Sequence, residues 1–103
     1  MKLVIITAIQ EFEAAIKKQL KEAEVTTFSF KNVSGYRDST EDALETNWFS
    51  SEMNITASIL FYAFVKKENV GVLFKSIDAF NAQEETLSKI HLAVLNVEQS
   101  NLN

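Results

Sequence analysis

The segment Ile55–Val65, ITASILFYAFV, constrains the fold of this chain more than any other. Its residues are β-branched, aromatic or small, and they alternate with period two. One face carries Ile55, Ala57, Ile59, Phe61, Ala63 and Val65, and the other carries Leu60, Tyr62 and Phe64. Such a segment is an extended strand, and because both faces are apolar both must be covered. Lys2–Ala8 (KLVIITA) and Lys89–Val97 (KIHLAVLNV) have the same two-sided character. Val25–Val33 (VTTFSFKNV) alternates more clearly, with Phe28 and Phe30 opposed to Ser29 and Lys31.

Between these strands the period changes to that of a helix. Phe12, Ala15, Ile16, Leu20 and Ala23 form one stripe over about residues 10–23, and Val70, Leu73, Phe74, Ile77 and Phe80 form another over about 68–82. Thr7 and Gln10 have capping-box spacing before the first helix, in competition with the strand for Thr7. Gly71 sits inside the second helix and lowers its local preference by about 1 kcal/mol relative to Ala. The order β-α-β-loop-β-α-β over one domain, residues 1–103, predicts an α+β, ferredoxin-like βαββαβ fold. Right-handed crossovers put both helices on one face of a four-stranded antiparallel sheet. The opposite face is then an apolar patch open to a partner, and a homo-oligomer that buries it is expected.

Residues 32–54, NVSGYRDSTEDALETNWFSSEMN, interrupt this pattern with a loop longer than compact domains usually carry, and loops of that kind are commonly functional. Between 37 and 54 lie Asp38, Glu41, Asp42, Glu45 and Glu52 against the single Arg37, while nine lysines balance nine acids elsewhere. The whole net charge of −4 therefore sits in the loop, which repels a phosphate backbone and argues against nucleic acid as a partner. Trp48 and Phe49 stand among these acids as docking anchors for a protein partner or as residues that fold back on their own assembly. The carboxylates are oxygen ligands for a hard divalent cation in principle, but their spacing is not that of an EF-hand, so a partner-facing acidic loop is favoured. There is no cysteine, hence no disulfide, thiolate metal site or cysteine nucleophile. No apolar run approaches the length of a membrane span, and the first residues do not form a secretion signal, which makes cytoplasm the expected compartment. His91, the only histidine, alternates with Ala93, Leu95 and Val97. It reads as a structural strand residue, with metal ligation, supplied once per subunit around a shared axis, as the other reading. With one histidine and no cysteine, no nucleophile–base–orienter set can be assembled, and no catalytic residue is assigned.

The residues flanking the loop resemble the PII nitrogen-regulatory signalling family. NVSGY matches that family's step into its long T-loop at Val33, Gly35 and Tyr36, and residues about 37–54 have the T-loop's length. SKIHLAVLNVEQ is similar to the family's last strand, with Lys89 at a lysine that contacts nucleotide phosphates. The resemblance implies a homotrimer with effectors in clefts between subunits. It also implies a T-loop that engages a protein partner, often a membrane transporter or an enzyme. Carried over residue by residue, it marks Ser29 (a hydroxyl near the adenine), Gly35, Tyr36, Arg37 and Lys89 as ligand-binding positions.

Several positions depart from the family pattern. The glycine-rich B-loop is replaced by QEETLSK, Gln83–Lys89, with two glutamates and no glycine. Ser39 stands where a magnesium-holding glutamine is found, no tyrosine lies between Arg37 and Ile55, and the C-terminal arginines of the nucleotide site are absent from the polar tail 98–103. Backbone amides that would cradle a phosphate are thus not offered, and glutamates would repel it. The expectation is a non-enzymatic trimeric regulator that binds a transporter, efflux pump or enzyme through its acidic loop and has lost ATP and 2-oxoglutarate sensing. The acidic loop, Trp48 and His91 motivate the alternative, a divalent-metal tolerance protein of the CutA type or one attached to a metal-efflux system, with a divalent metal as its cofactor. A small ferredoxin-like enzyme acting between subunits ranks third.

Overall fold

A computed structural model describes residues 1–36 and 55–101 of the chain. Its elements run β1 (Lys2–Ile9), a 3-10 turn (Gln10–Phe12), α1 (Glu13–Glu22), β2 (Ser29–Tyr36), β3 (Ile55–Val65), α2 (Lys67–Gln83) and β4 (His91–Asn96). The strands form one antiparallel sheet in the order β2-β3-β1-β4, the expected ferredoxin-like arrangement.

Register explains which residues reach the core. Val4 faces Ala63 and Ile6 faces Phe61, so Val4, Ile6, Ala8, Ile59, Phe61, Ala63 and Val65 share one face, and all are buried. Against that face lie Ile16 and Leu20 of α1 and Leu73 and Ile77 of α2. Side chains fully withdrawn from water, such as Ile16 and Leu73, each contribute about 1.5–3 kcal/mol of transfer free energy. Aromatic contacts extend the core toward the edges. The Phe12 ring meets Phe80 edge-on at 5.0 Å, joining the turn before α1 to α2. Phe30 stacks on Phe61 at 5.2 Å, and Lys17 lies over Phe30 with its Nζ 4.3 Å from the ring centre while pairing with Glu13 at 2.8 Å.

The end of α1 follows from its local hydrogen bonds. Glu24 N–H donates to the Lys21 carbonyl and Val25 N–H to the Leu20 carbonyl, with Glu24 at φ 62°. This is a Schellman closure in which a glutamate occupies the left-handed position that glycine usually takes. It turns the chain so that Val25 is buried, and residues 24–28 are not strand. The second strand therefore occupies Ser29–Tyr36 rather than the expected 25–33.

The fourth strand begins at His91 rather than the expected Lys89. No side chain caps either helix start, so of the two readings of Thr7 the strand holds it. Gly35 is extended within β2, buried, and paired with Thr56.

The second sheet face is formed by Leu3, Ile5, Thr7 and Ile9 of β1, Ser58, Leu60, Tyr62 and Phe64 of β3, and His91, Ala93 and Leu95 of β4. Neither helix covers it. Tyr62, Phe64 and Leu95, toward the start of β1, are between 39% and 45% exposed, whereas Thr7 and Ser58, toward its end, are buried.

Candidate functional site

Ser29 opens β2 directly opposite Tyr62 of β3. Around this pair Thr27, Phe28, Ser29, Tyr62, Ala63, Phe64 and Met1 line a groove of about 530 Å³. It continues past Met1, Thr27 and Phe64 into a smaller hollow of about 250 Å³ that Thr26, Lys66 and Asn69 also border. Two partly exposed rings and two hydroxyls suit a planar ligand whose edge offers hydrogen-bonding atoms. Ser29, one of the positions expected to bind ligand, lines this groove. Tyr62, Phe64 and Thr27 were not singled out as ligand-facing from the sequence. Their signal was present in the outward set of the 55–65 alternation, which reads equally well as subunit interface.

Lys89 has a different environment from the one expected. Its ammonium donates to the carbonyls of Asn81 (2.9 Å) and Glu84 (3.1 Å) at the end of α2, the first of which also accepts from the Glu84 N–H. A cation there satisfies the helix terminus and its dipole. Beside it the Asn81 side chain works as a strand fragment: Nδ2 donates to the Ile90 carbonyl at 2.9 Å, and the Ile90 N–H donates to Oδ1 at 2.8 Å. The intervening segment closes on itself, with the Thr86 hydroxyl donating to Glu84 Oε1 and accepting from the Ser88 N–H. Asn81, which locks the end of α2 to the start of β4, was not foreseen; an asparagine in a last helical turn is its only trace in the sequence.

The expected ligand residues do not converge within one chain. Ser29 is on an edge strand and Lys89 adjoins the opposite edge, three strand spacings or about 14 Å across the sheet. Gly35 and Tyr36 lie at the far end of β2, Tyr36 exposed and opposite Ile55. Arg37, Asp38, Glu41, Asp42, Glu45, Trp48, Phe49 and Glu52 fall outside the described residues.

His91 pairs with Thr7 across β4 and β1 on the open face, half-buried. Burial lowers its pKa from the usual 6.5 by penalising the imidazolium. Among the described residues no three His, Asp or Glu side chains gather as a metal cluster, and no helix is long and apolar enough to cross a membrane.

No family profile matches the chain, and no curated protein matches it in sequence. Solved structures do. CPII, a nitrogen regulatory PII-like protein from Thiomonas intermedia K12 whose structure holds ADP, AMP and bicarbonate, superposes with a TM-score of 0.62 at 17% identity, over 96% of this chain and 93% of that one. A DUF3240 family protein from Shewanella baltica OS155 superposes with a TM-score of 0.67 at 14% identity, over 99% and 94%. Topology, helix placement and near-complete coverage in both directions agree: this chain has the fold of the PII-like proteins.

Proposed function

We propose that this chain is a non-enzymatic, PII-like regulator that assembles as a homotrimer and contacts a protein partner through the acidic loop at 37–54. The observation that carries the reading is the open sheet face. Leu3, Ile5, Leu60, Tyr62, Phe64, Ala93 and Leu95 lie on the side away from the helices, and no part of α1 or α2 covers them. Burying that face between copies removes a large apolar patch from water, at roughly 25 cal/mol per Å² of apolar surface.

The ligand chemistry of the candidate site differs from ADP- or AMP-bound CPII in our reading. The aromatic-walled groove at Ser29, Tyr62 and Phe64 supports contact with a flat ring. The phosphate end has no support: Lys89 is occupied by helix carbonyls, and Glu84 and Glu85 add negative charge. The acidic loop, with Trp48 and Phe49 as anchors, is then the surface a transporter, efflux pump or enzyme would contact. Light scattering after size exclusion tests the assembly, with a mass of about 35 kDa expected from an 11.6 kDa protomer; a stable monomer refutes it. Calorimetry with ATP, ADP and AMP tests the ligand reading, and micromolar ATP affinity refutes that part alone.

A further inference from the structure

The smaller hollow lies where the chain leaves β3 for α2, beside the turn that closes α1. Glu24 borders it from that turn and Lys66 from the β3–α2 junction, a carboxylate and an ammonium on one cavity. Neither side chain has an ion-pair or hydrogen-bond partner among the described residues, so the two charges share the space without meeting. Thr26, Thr27 and Asn69 add hydroxyl and amide groups, while Val25, Phe64 and Val65 supply an apolar wall. Glu24 is also the one non-glycine residue at positive φ among the described residues, at 62°. Glycine would hold that position without steric cost, whereas a residue with a Cβ is strained there. Strain of this kind clusters at ligand clamps, where the fold fixes a side chain in place. The closure of α1 uses only the backbone of Glu24, whose N–H donates to the Lys21 carbonyl. Folding therefore leaves the carboxylate unexplained, and a ligand in the hollow explains it.

We propose that this hollow binds a free α-amino acid with an apolar side chain, Glu24 taking its ammonium and Lys66 its carboxylate. A ligand of one charge satisfies one of these groups and is repelled by the other, whereas a zwitterion satisfies both with charge-assisted hydrogen bonds. The hollow, at about 250 Å³, is smaller than the roughly 300–1,000 Å³ of sites for drug-sized ligands, which suits a small metabolite rather than a nucleotide. It opens past Thr27 and Phe64 into the groove at Ser29 and Tyr62, which gives an aliphatic or aromatic side chain its place. All these residues belong to one chain, so the inference does not depend on the trimer. It rests on the functional reading in one respect, the use of that groove as a site for a ring.

Calorimetry of the full chain with phenylalanine is the test. Saturable binding is expected, with N-acetylphenylalanine, which lacks the ammonium, and phenylalaninamide, which lacks the carboxylate, each about tenfold weaker or more. Glu24→Gln and Lys66→Gln should each weaken phenylalanine by a similar factor with unchanged circular dichroism. Glu24→Gly separates binding from folding: it should raise the urea midpoint by relieving the strain and still lose the ligand. No saturable binding of phenylalanine, leucine or glycine to the wild-type chain overturns the proposal, and so does binding that survives both Glu24→Gln and Lys66→Gln. Glycine bound as tightly as phenylalanine overturns the use of the groove, and the ring reading of that groove with it. A chain that stays monomeric yet binds phenylalanine supports the site and refutes the trimer alone.

Discussion

Replacing Gly71 by alanine should stabilise this protein. Gly71 is the fifth residue of α2, exposed, and not in the left-handed region. A Cβ built on it meets nothing within 4 Å, so the methyl enters open space. The gain has two sources: alanine has the higher helix preference, and it reduces the conformational freedom of the unfolded chain. Together they amount to about 0.8–1 kcal/mol in a helix interior. For a domain of about 100 residues that corresponds to a rise in Tm of about 4–6 °C. Thermal and urea unfolding followed by circular dichroism should show both the higher midpoint and an unchanged urea slope, at fixed protomer concentration because assembly also contributes to the midpoint. The outcome bears on function as well as stability. If copies meet through the sheet, the helix layer stays in water and the methyl costs nothing. An unchanged or lowered midpoint would refute the reasoning, and would show that the helical layer is covered in the assembled protein.

Other perturbations read different parts of the structure. Glu24→Gly places glycine at the left-handed position of the α1 closure and should add about 0.5–1 kcal/mol, seen as a higher urea midpoint; a loss would mean the glutamate side chain is needed there. Asn81→Ala strands the N–H and carbonyl of Ile90 and should cost about 2–4 kcal/mol in urea unfolding, with Asn81→Asp intermediate because it keeps the acceptor. Lys89→Met keeps the aliphatic stem but removes two hydrogen bonds to the end of α2. It should lower stability by about 1 kcal/mol in urea unfolding and leave the calorimetric response to ATP unchanged, whereas a phosphate-binding lysine would make ATP binding weaken. His91 has a folded pKa below its unfolded value of 6.5, so the unfolded chain takes up the proton first as pH falls. Its contribution is complete above about pH 6.5 and is lost as pH falls through the lower folded value; His91→Phe should flatten that part of the stability profile.

Much of the architecture was legible because it depends on periodicity. A strand apolar on both faces announces that both faces must be covered, and the alternation in 55–65 assigned Phe61 and Ala63 to one side and Leu60, Tyr62 and Phe64 to the other. The span of β2 was less legible, for two opposite reasons. At its start, Val25 looks like a strand residue, yet it is drawn under the end of α1 by the Leu20 carbonyl. At its end, Ser34, Gly35 and Tyr36 look like loop, yet their backbone partners are Ala57, Thr56 and Ile55, more than eighteen positions away in sequence. Pairing over that distance overrides the local preference for a turn.

The candidate site was less legible still, and Lys89 shows why. Its identity as a cation before the last strand could be read from the sequence, but a lysine is equally suited to a phosphate oxygen and to a helix-end carbonyl. The choice is decided by where α2 stops. Asn81 ends that helix with its side chain on Ile90, which brings the carbonyls of Asn81 and Glu84 within reach of the lysine two residues before β4. A glycine-rich segment would direct its amides at an incoming anion, whereas QEETLSK spends its polar groups on itself and on the helix. Lys89 and the segment before it thus serve the end of α2, and the groove at Ser29, Tyr62 and Phe64 is lined without them.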